Sequence, residues 1–331
     1  MSALPLSTAS KLASAIPGAS ASGAGLSWAG LKRDLRTKNM SGMLDGISRL
    51  LQIAWHYKDH QRLLKVLKAE HTRDILRQVP RTAYRYTLPY LSSNFERATR
   101  LEMLLAHYRF LNERLGARFC SGIVHGTLIP WISEEQGHHF SIHVSGPCAV
   151  SGHREGELTF TLRMDAADVY KVSFSIVPAS ALSMPSGSTP ARHGHTLYIG
   201  RVQGVVGTFE QIRLATKACH DIAPPDLLMA AIAGMAEALG IEVIAGVGIE
   251  HSISSESIQQ SNMSFDYTEF WDRYQSSKTA DGHHLMQVPY PEKPIQAIAS
   301  KHRKRTLLKR EFKHQITQAT RGCIAGVASG L

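Results

Sequence analysis

Apolar residues recur at helical spacing in the first third of the chain. From Asn39 to Lys68 they return every three or four positions, which predicts an amphipathic helix with a break near Asp59. A second stripe predicts a helix from Asn94 to Arg114, with Asn94 as its N-cap. We therefore expect the chain to begin its folded part with helices.

The middle of the chain changes to a period of two. Apolar and polar residues alternate there, which predicts antiparallel strands with one buried face, at 140–144, 158–164, 172–176 and 195–204. Short links containing Gly or Asp fit connections between antiparallel neighbours. The stretch from Ser180 to Gly194 is rich in Ser, Pro and Gly and predicts a long surface loop.

Helices and strands alternate in the last third. The apolar run EVIAGVG predicts a strand buried on both faces, and Gly240 before it fits the C′ position of a helix. The remaining predicted elements are helices at 208–220, 226–239, 267–274 and 301–319 and a strand at 285–289.

This order of elements predicts an α+β protein. A helical N-terminal region would pack on a mixed, mainly antiparallel sheet. The order of strand, Gly-bearing turn, helix and buried strand resembles the GNAT acyltransferase fold. The predicted divisions are a disordered leader rich in Ala, Ser and Gly, a basic helical region, a GNAT-like α/β domain, and a basic C-terminal helix and tail, at 1–30, 31–118, 119–300 and 301–331.

Composition points to a cytoplasmic protein. No run of about 18 uncharged apolar residues is present, and Met1 to Gly30 lacks the charged start and Leu-rich centre of a signal peptide. The cysteines form no CxxC pair, and so few thiols fit a reducing compartment: Cys120, Cys148, Cys219 and Cys323. Peripheral association with the inner membrane stays open as an alternative.

The net charge of +10 is spread unevenly. Lys32 to Arg109 holds 16 Lys or Arg against 7 Asp or Glu, and Lys301 to Lys313 holds 7 against 1. Between them, Leu111 to Ser300 holds 12 against 19. Two interpretations remain open: the basic ends dock on the acidic middle, or they face an anionic partner.

Several short segments, taken in order, resemble the VirK/YbjX family, also described as the DUF535 domain. They are Pro89-Tyr90-Leu91 with Arg100 and His107-Tyr108, REGELTFTL at 154–162, YIGRVQG at 198–204, the block at 215–241 followed by His251, FDYTEFWDRY at 265–274, Asp281-Gly282, Val288-Pro289, and SKHRKR at 300–305. The resemblance covers roughly residues 31–312 and implies a bacterial protein linked to envelope and virulence functions. It implies no particular reaction.

A strand–turn–helix segment is the most suggestive motif for a cofactor. In YIGRVQGVVGTFEQIR, glycines allow close backbone approach and a helix N-terminus offers free amides, a combination that suits an anion. The candidate binding residues for the pyrophosphate of an acyl-CoA, with an acyl carrier as the alternative donor, are Arg201, Gln203, Gly204 and Gly207. The alternative is a purely structural tight turn.

Three side chains are candidates for acid and base chemistry. Glu155 and Glu157 flank Gly156, and a spacing of two puts both carboxylates on one face of a strand. His251, next to Glu250, follows a buried strand, where sites in α/β layers gather. The alternatives are a solvated hairpin edge for the glutamates and coincidence among 17 histidines. No histidine or cysteine pattern predicts a metal site.

The C-terminal segment KHRKRTLLKREFK predicts a phosphate-binding helix. Arg303, Lys304 and Arg305 are its candidate contacts with an anionic membrane surface or an envelope protein. Because aromatic residues are nearly absent there, nucleic acid is not the expected partner. An aromatic block at 265–274 is expected to pack in the core, with a hydrophobic acyl pocket as the sharper alternative.

Two functions follow, and the sequence does not decide whether the protein is an enzyme. In one, it transfers an acyl group from acyl-CoA or an acyl carrier. In the other, it is a non-catalytic adaptor for envelope biogenesis or outer-membrane protein display. A groove filled by side chains between diverging strands would favour the adaptor. The transferase would be favoured by a pocket lined by Arg201, Gln203, Glu157 and His251.

Overall fold

The computed structural model describes residue 48 and residues 51–147, 154–183, 194–253 and 266–328. The predicted leader, the start of the helix predicted at 39–68, Cys148, most of the loop predicted at 180–194 and Phe265 lie outside the described residues. The division into four segments stays a prediction.

Helices open the described chain, as the helical spacing predicts. They are α1 (Tyr57–Leu67), α2 (Arg73–Gln78), a 3₁₀ segment (Pro80–Thr87), α3 (Arg97–Phe110), a π turn (Leu111–Leu115) and α4 (Gly116–His125). The prediction of Asn94 as an N-cap is wrong, because Glu96 holds that position in front of α3. The Asn94 amide instead donates to the Asp281 carbonyl at 3.1 Å, a contact that no local pattern encodes.

Within the described residues, eight strands form one sheet in the order β1-β2-β3-β4-β5-β6-β8-β7. The strands are β1 (Leu128–Glu135), β2 (His138–Ser145), β3 (Leu158–Met164), β4 (Ala167–Pro178), β5 (His195–Gly204), β6 (Val243–Gly246), β7 (Ser277–Lys278) and β8 (His284–Gln287). β5 and β6 pair in parallel, and the other neighbouring pairs are antiparallel. The α+β class with a mixed, mainly antiparallel sheet is confirmed.

β1 was not predicted because its alternation is interrupted. Pro130 lies within the strand, and the register with β2 shifts between Leu128 and Trp131. A bulge of this kind places an extra residue in one strand and breaks the period of two.

Helices cover both faces of the sheet. On one face, α6 (Pro224–Leu239) and α8 (Ser300–Val327) pack on each other, and α8 buries four residues at intervals of four: Phe312, Ile316, Thr320 and Ile324. The shorter α5 (Phe209–Ala218) joins them. On the other face, α3 crosses β4, where the Ile176 N–H donates to His107 Nδ1 at 3.2 Å.

β5 and β6 diverge soon after they meet. Their parallel pairing runs only from Leu197 opposite Ile244 to Ile199 opposite Gly246. β5 then continues to Gly204 with no strand beside it on that edge among the described residues. We call the space between Gly200–Gly204 and the chain that leaves Gly246 the wedge.

Candidate functional site

Aromatic side chains of α7 (Tyr267–Asp272) fill the wedge. The hydroxyl of Tyr267 accepts from the Val202 N–H at 3.1 Å and donates to the Val202 carbonyl at 3.4 Å. It therefore occupies the position that a neighbouring strand would take. Trp271 donates to the Val247 carbonyl at 2.9 Å, and its ring lies 2.5 Å from where a Cβ on Gly246 would be. Both side chains are buried.

Two predicted site residues, Arg201 and Glu155, lie beside the β5 edge of the wedge, which we call its mouth. Burial raises the pKa of Tyr267 most strongly; its bond with Val202 and the charge of Arg201 lower it, and Glu155 raises it. Arg201 precedes Val202 in the chain, and the Glu155 carbonyl lies against the position that a Cβ on Gly200 would take, so both residues flank the contact between Tyr267 and Val202. Arg201 Nε donates to Gln203 Oε1 at 2.6 Å, and the buried Glu155 accepts from the Arg154 N–H at 3.1 Å.

The main chain at this end of β5 is closely packed. The carbonyls of Glu155 and Leu91 lie where a Cβ on Gly200 would stand, so only glycine permits both approaches. Leu91 itself has a φ of 62° and is buried. A bulky residue in the left-handed region is a strained outlier, and such outliers cluster at functional sites.

His251 lies in a 3₁₀ turn just past β6, at the same end of the sheet. Its carbonyl accepts from the Ser93 N–H at 2.9 Å, and its half-buried ring lies 6.3 Å, centroid to centroid, from the ring of His283. Glu250, predicted to accompany His251, instead pairs with Lys278 at 2.7 Å, which lowers the pKa of Glu250.

A buried tyrosine–histidine pair adjoins His251. Tyr198 Oη and His283 Nδ1 are 3.0 Å apart. Burial, as the largest cause, lowers the pKa of His283 to about 4, so its ring is neutral at neutral pH. Its Nε2 is buried without a hydrogen-bond partner in the described chain. The sequence did not single out His283, because a His-His pair in a loop carries no local signal of burial.

Glu157 lies apart from this site. Its carboxylate accepts from Arg85 at 2.6 Å and from the Tyr108 hydroxyl. The side chains of Arg85 and Glu157 are 6% and 0% exposed. Burial, the largest single cause, lowers the pKa of Arg85. The charges of Glu157, Tyr108 and Tyr90 and the hydrogen bond to Glu157 together outweigh burial, so the net pKa of Arg85 is raised. In this arrangement Glu157 cannot reach a substrate, although its spacing from Glu155 is as the sequence suggested.

The four candidate cofactor residues do not converge. Gly207 has a φ of +81° and open space around it, as a ligand-binding turn requires. At Gly204, however, the Ile212 side chain of α5 fills this space, since it lies 2.9 Å from where a Cβ on Gly204 would be. Arg201 and Gln203 pair in register with Ser173 and Lys171, so alternation puts their side chains on the sheet face away from Ile212.

A second concave region was not predicted. A cleft of ≈ 520 Å³ lies between α6, the end of α7 and α8. In it, the Tyr274 hydroxyl donates to Asp226 at 2.6 Å, and Arg273 pairs with the same carboxylate at 3.2 Å. Its lining mixes both signs of charge. Distant segments build it, so no sequence motif marks it.

Neither a metal cluster nor a membrane span is found in the part of the chain that the structure describes. No three His, Cys, Asp or Glu side chains there come together as metal ligands. None of its helices combines the length and the apolar character needed to cross a bilayer.

The comparisons with known proteins identify the family. The chain belongs to the family described as protein of unknown function DUF535, whose model matches residues 47–319. It is 27% identical over 237 residues to the uncharacterized protein YbjX of Escherichia coli strain K12, which covers 69% of this chain and 68% of that protein. No solved structure matches the chain significantly. The predicted family membership is confirmed.

Proposed function

We propose that this chain is a non-catalytic binding protein, an adaptor that acts in biogenesis of the cell envelope. The carrying observation is the filled wedge: Tyr267 bonds to the main chain of Val202, and Trp271 packs against Gly246. A transferase would need this space for its donor. The envelope setting comes from the family resemblance alone.

The placement of the candidate acid and base groups supports the same proposal. Glu157 is committed to Arg85 and Tyr108, and Glu250 to Lys278. Arg201 lies on the other sheet face from the residue that packs on Gly204. A donor pyrophosphate at the turn would therefore lack the predicted guanidinium beside it.

An acyltransferase is the second candidate, favoured by one specific feature. Among the described strands, β5 and β6 are the one parallel pair; they diverge within an otherwise antiparallel sheet, as a GNAT-like fold would require. His251, Glu155 and Arg201 lie near the mouth of the wedge. In this hypothesis an amide of the donor would displace the Tyr267 hydroxyl from the Val202 edge, because both make the same hydrogen bonds.

Calorimetric titration with coenzyme A, acetyl-CoA and a longer acyl-CoA separates the two functions. For an adaptor, we expect no binding below millimolar, either to the wild type or to Tyr267→Phe, which frees the Val202 edge. Tyr274→Phe removes a hydroxyl from the second cleft and is the matched control. Micromolar binding of coenzyme A or an acyl-CoA, strengthened by Tyr267→Phe and weakened by Arg201→Ala, would contradict the adaptor proposal and support the transferase.

A further inference from the structure

The two halves of α8 differ in burial. From Ser300 to Glu311, none of its residues is buried. From Phe312 onward, one residue per turn is buried against α6 and β1. The second half therefore anchors the helix, and the first half presents a surface.

The cations of the first half fall into two sets. In the first set, Arg305 pairs with Asp221 at 2.7 Å, Arg310 pairs with Glu292 at 2.8 Å, and Lys309 donates to the Asp221 carbonyl. These contacts hold the helix on the acidic middle of the chain, as the docking interpretation of the charge pattern expected. Lys301 and Lys304 make no hydrogen bond or ion pair with any residue that the structure describes. Their charges are left for solvent or a partner.

Two leucines lie beside Lys301 and Lys304, the second set of cations. Leu307 and Leu308 are 52% and 48% exposed. Lys304 precedes them by three and four residues, so all three side chains lie along one strip of the helix. Arg303 is one turn before Leu307 and donates to the carbonyls of Ile298 and Gln296, which fixes the segment leading into the helix. The exposed strip is both apolar and basic.

We propose that this strip binds an anionic lipid surface. A helix that lies in a membrane interface buries leucines at the level of the acyl boundary and keeps its lysines at the headgroups. The strip offers both groups side by side. Nucleic acid would use the cations and leave the leucines in water, so the leucines favour lipid. The inference stands whether or not the body of the protein is catalytic.

Sedimentation with vesicles tests the proposal. The wild type should bind vesicles of phosphatidylcholine mixed with phosphatidylglycerol and should not bind phosphatidylcholine alone. Lys301→Ala with Lys304→Ala should lower the partition coefficient roughly 30-fold, because each cation near such a surface strengthens binding by a factor of slightly more than about five. Leu307→Ser with Leu308→Ser should lower it too, and should abolish the binding that survives added salt.

A control variant separates the strip from general charge. Lys58→Ala with Lys65→Ala removes two exposed cations from α1, and should leave the partition coefficient nearly unchanged. The positions are exposed, and circular dichroism verifies that each variant folds. Equal losses for the two lysine pairs, failure of the wild type to bind anionic vesicles, or tighter binding to a short DNA duplex would each overturn the proposal.

Discussion

Two polar clusters, one buried and one partly buried, lie on the face of the sheet that carries α3, and they differ in how their hydrogen bonds are satisfied. We call them the Arg85 cluster (Arg85, Glu157, Tyr108, Tyr90 and Ser175) and the wedge cluster (Glu155, Arg201, Tyr267, His251, His283 and Tyr198). In the first, the charges pair with each other and Tyr90 bonds to Ser175 at 2.7 Å. In the second, the Tyr267 hydroxyl bonds to the main chain of Val202 at the edge of β5, and the Nε2 of His283 has no partner in the described chain.

The difference separates a cluster whose polar groups satisfy one another from one that leaves a buried nitrogen without a partner. A buried ion pair whose groups are all satisfied fixes one arrangement, here α3 and the 3₁₀ segment on β3 and β4. A buried polar group without a partner costs stability and calls for another explanation, such as a ligand or a conformational change. Glu155 and Glu157, two residues apart in the chain, therefore belong to different clusters and have different hydrogen-bond partners.

The largest expected effect is at the Arg85 cluster. Arg85→Met leaves Glu157 buried without its counter-charge, and should lower the free energy of unfolding by about 3–5 kcal/mol. Urea denaturation measures it. Adding Glu157→Leu should recover much of the loss, since no lone charge then remains buried. Arg77→Ala, which breaks an exposed pair with Asp74, is the control and should cost about 1 kcal/mol or less.

The next effect appears as pH falls. Burial, helped by the Arg85 charge, lowers the pKa of His107 to about 3, and burial lowers that of His283 to about 4. The unfolded chain protonates both near pH 6.5, so it binds more protons, and stability is lost on acidification from about pH 6.5 towards the folded values. Each histidine contributes a slope of about 1.4 kcal/mol per pH unit at most.

Replacing one histidine should make the dependence of the free energy of unfolding on pH less steep, because the unfolded chain then takes up one proton fewer. His107→Asn and His283→Asn both keep an acceptor near the position of Nδ1, and urea titrations between about pH 6 and pH 4 measure the change. The same substitution at the exposed His302 is the control. An unchanged slope in His283→Asn alone would mean that His283 is open to water in solution, unlike His107.

The smallest expected effect tests how tightly the wedge is filled. Gly246→Ala places a methyl group 2.5 Å from the Trp271 ring and should destabilise the fold by about 1–3 kcal/mol. Gly322→Ala in α8 meets open space and should stabilise it by about 0.5–1 kcal/mol. Thermal melting compares the two variants. A Gly246→Ala protein as stable as wild type would show that α7 leaves the wedge readily.

The sequence by itself determined the elements with strong periodicity and the family. β5 spans 195–204, as its alternation predicts, and α6 ends where Gly240 takes a φ of 65°. These features depend on residues close in the chain, whose side-chain period and backbone preferences are local properties. The membership in the DUF535 family likewise rests on the linear order of short segments.

Only the tertiary structure decided what the candidate site residues contact. Arg85 and Glu157 are 72 residues apart, and Tyr267 meets Val202 across 65. A period of two says which face a carboxylate takes, but its partner comes from another element that covers that face. Burial then sets whether the group pairs, shifts its pKa or meets solvent, because desolvation depends on everything packed around it.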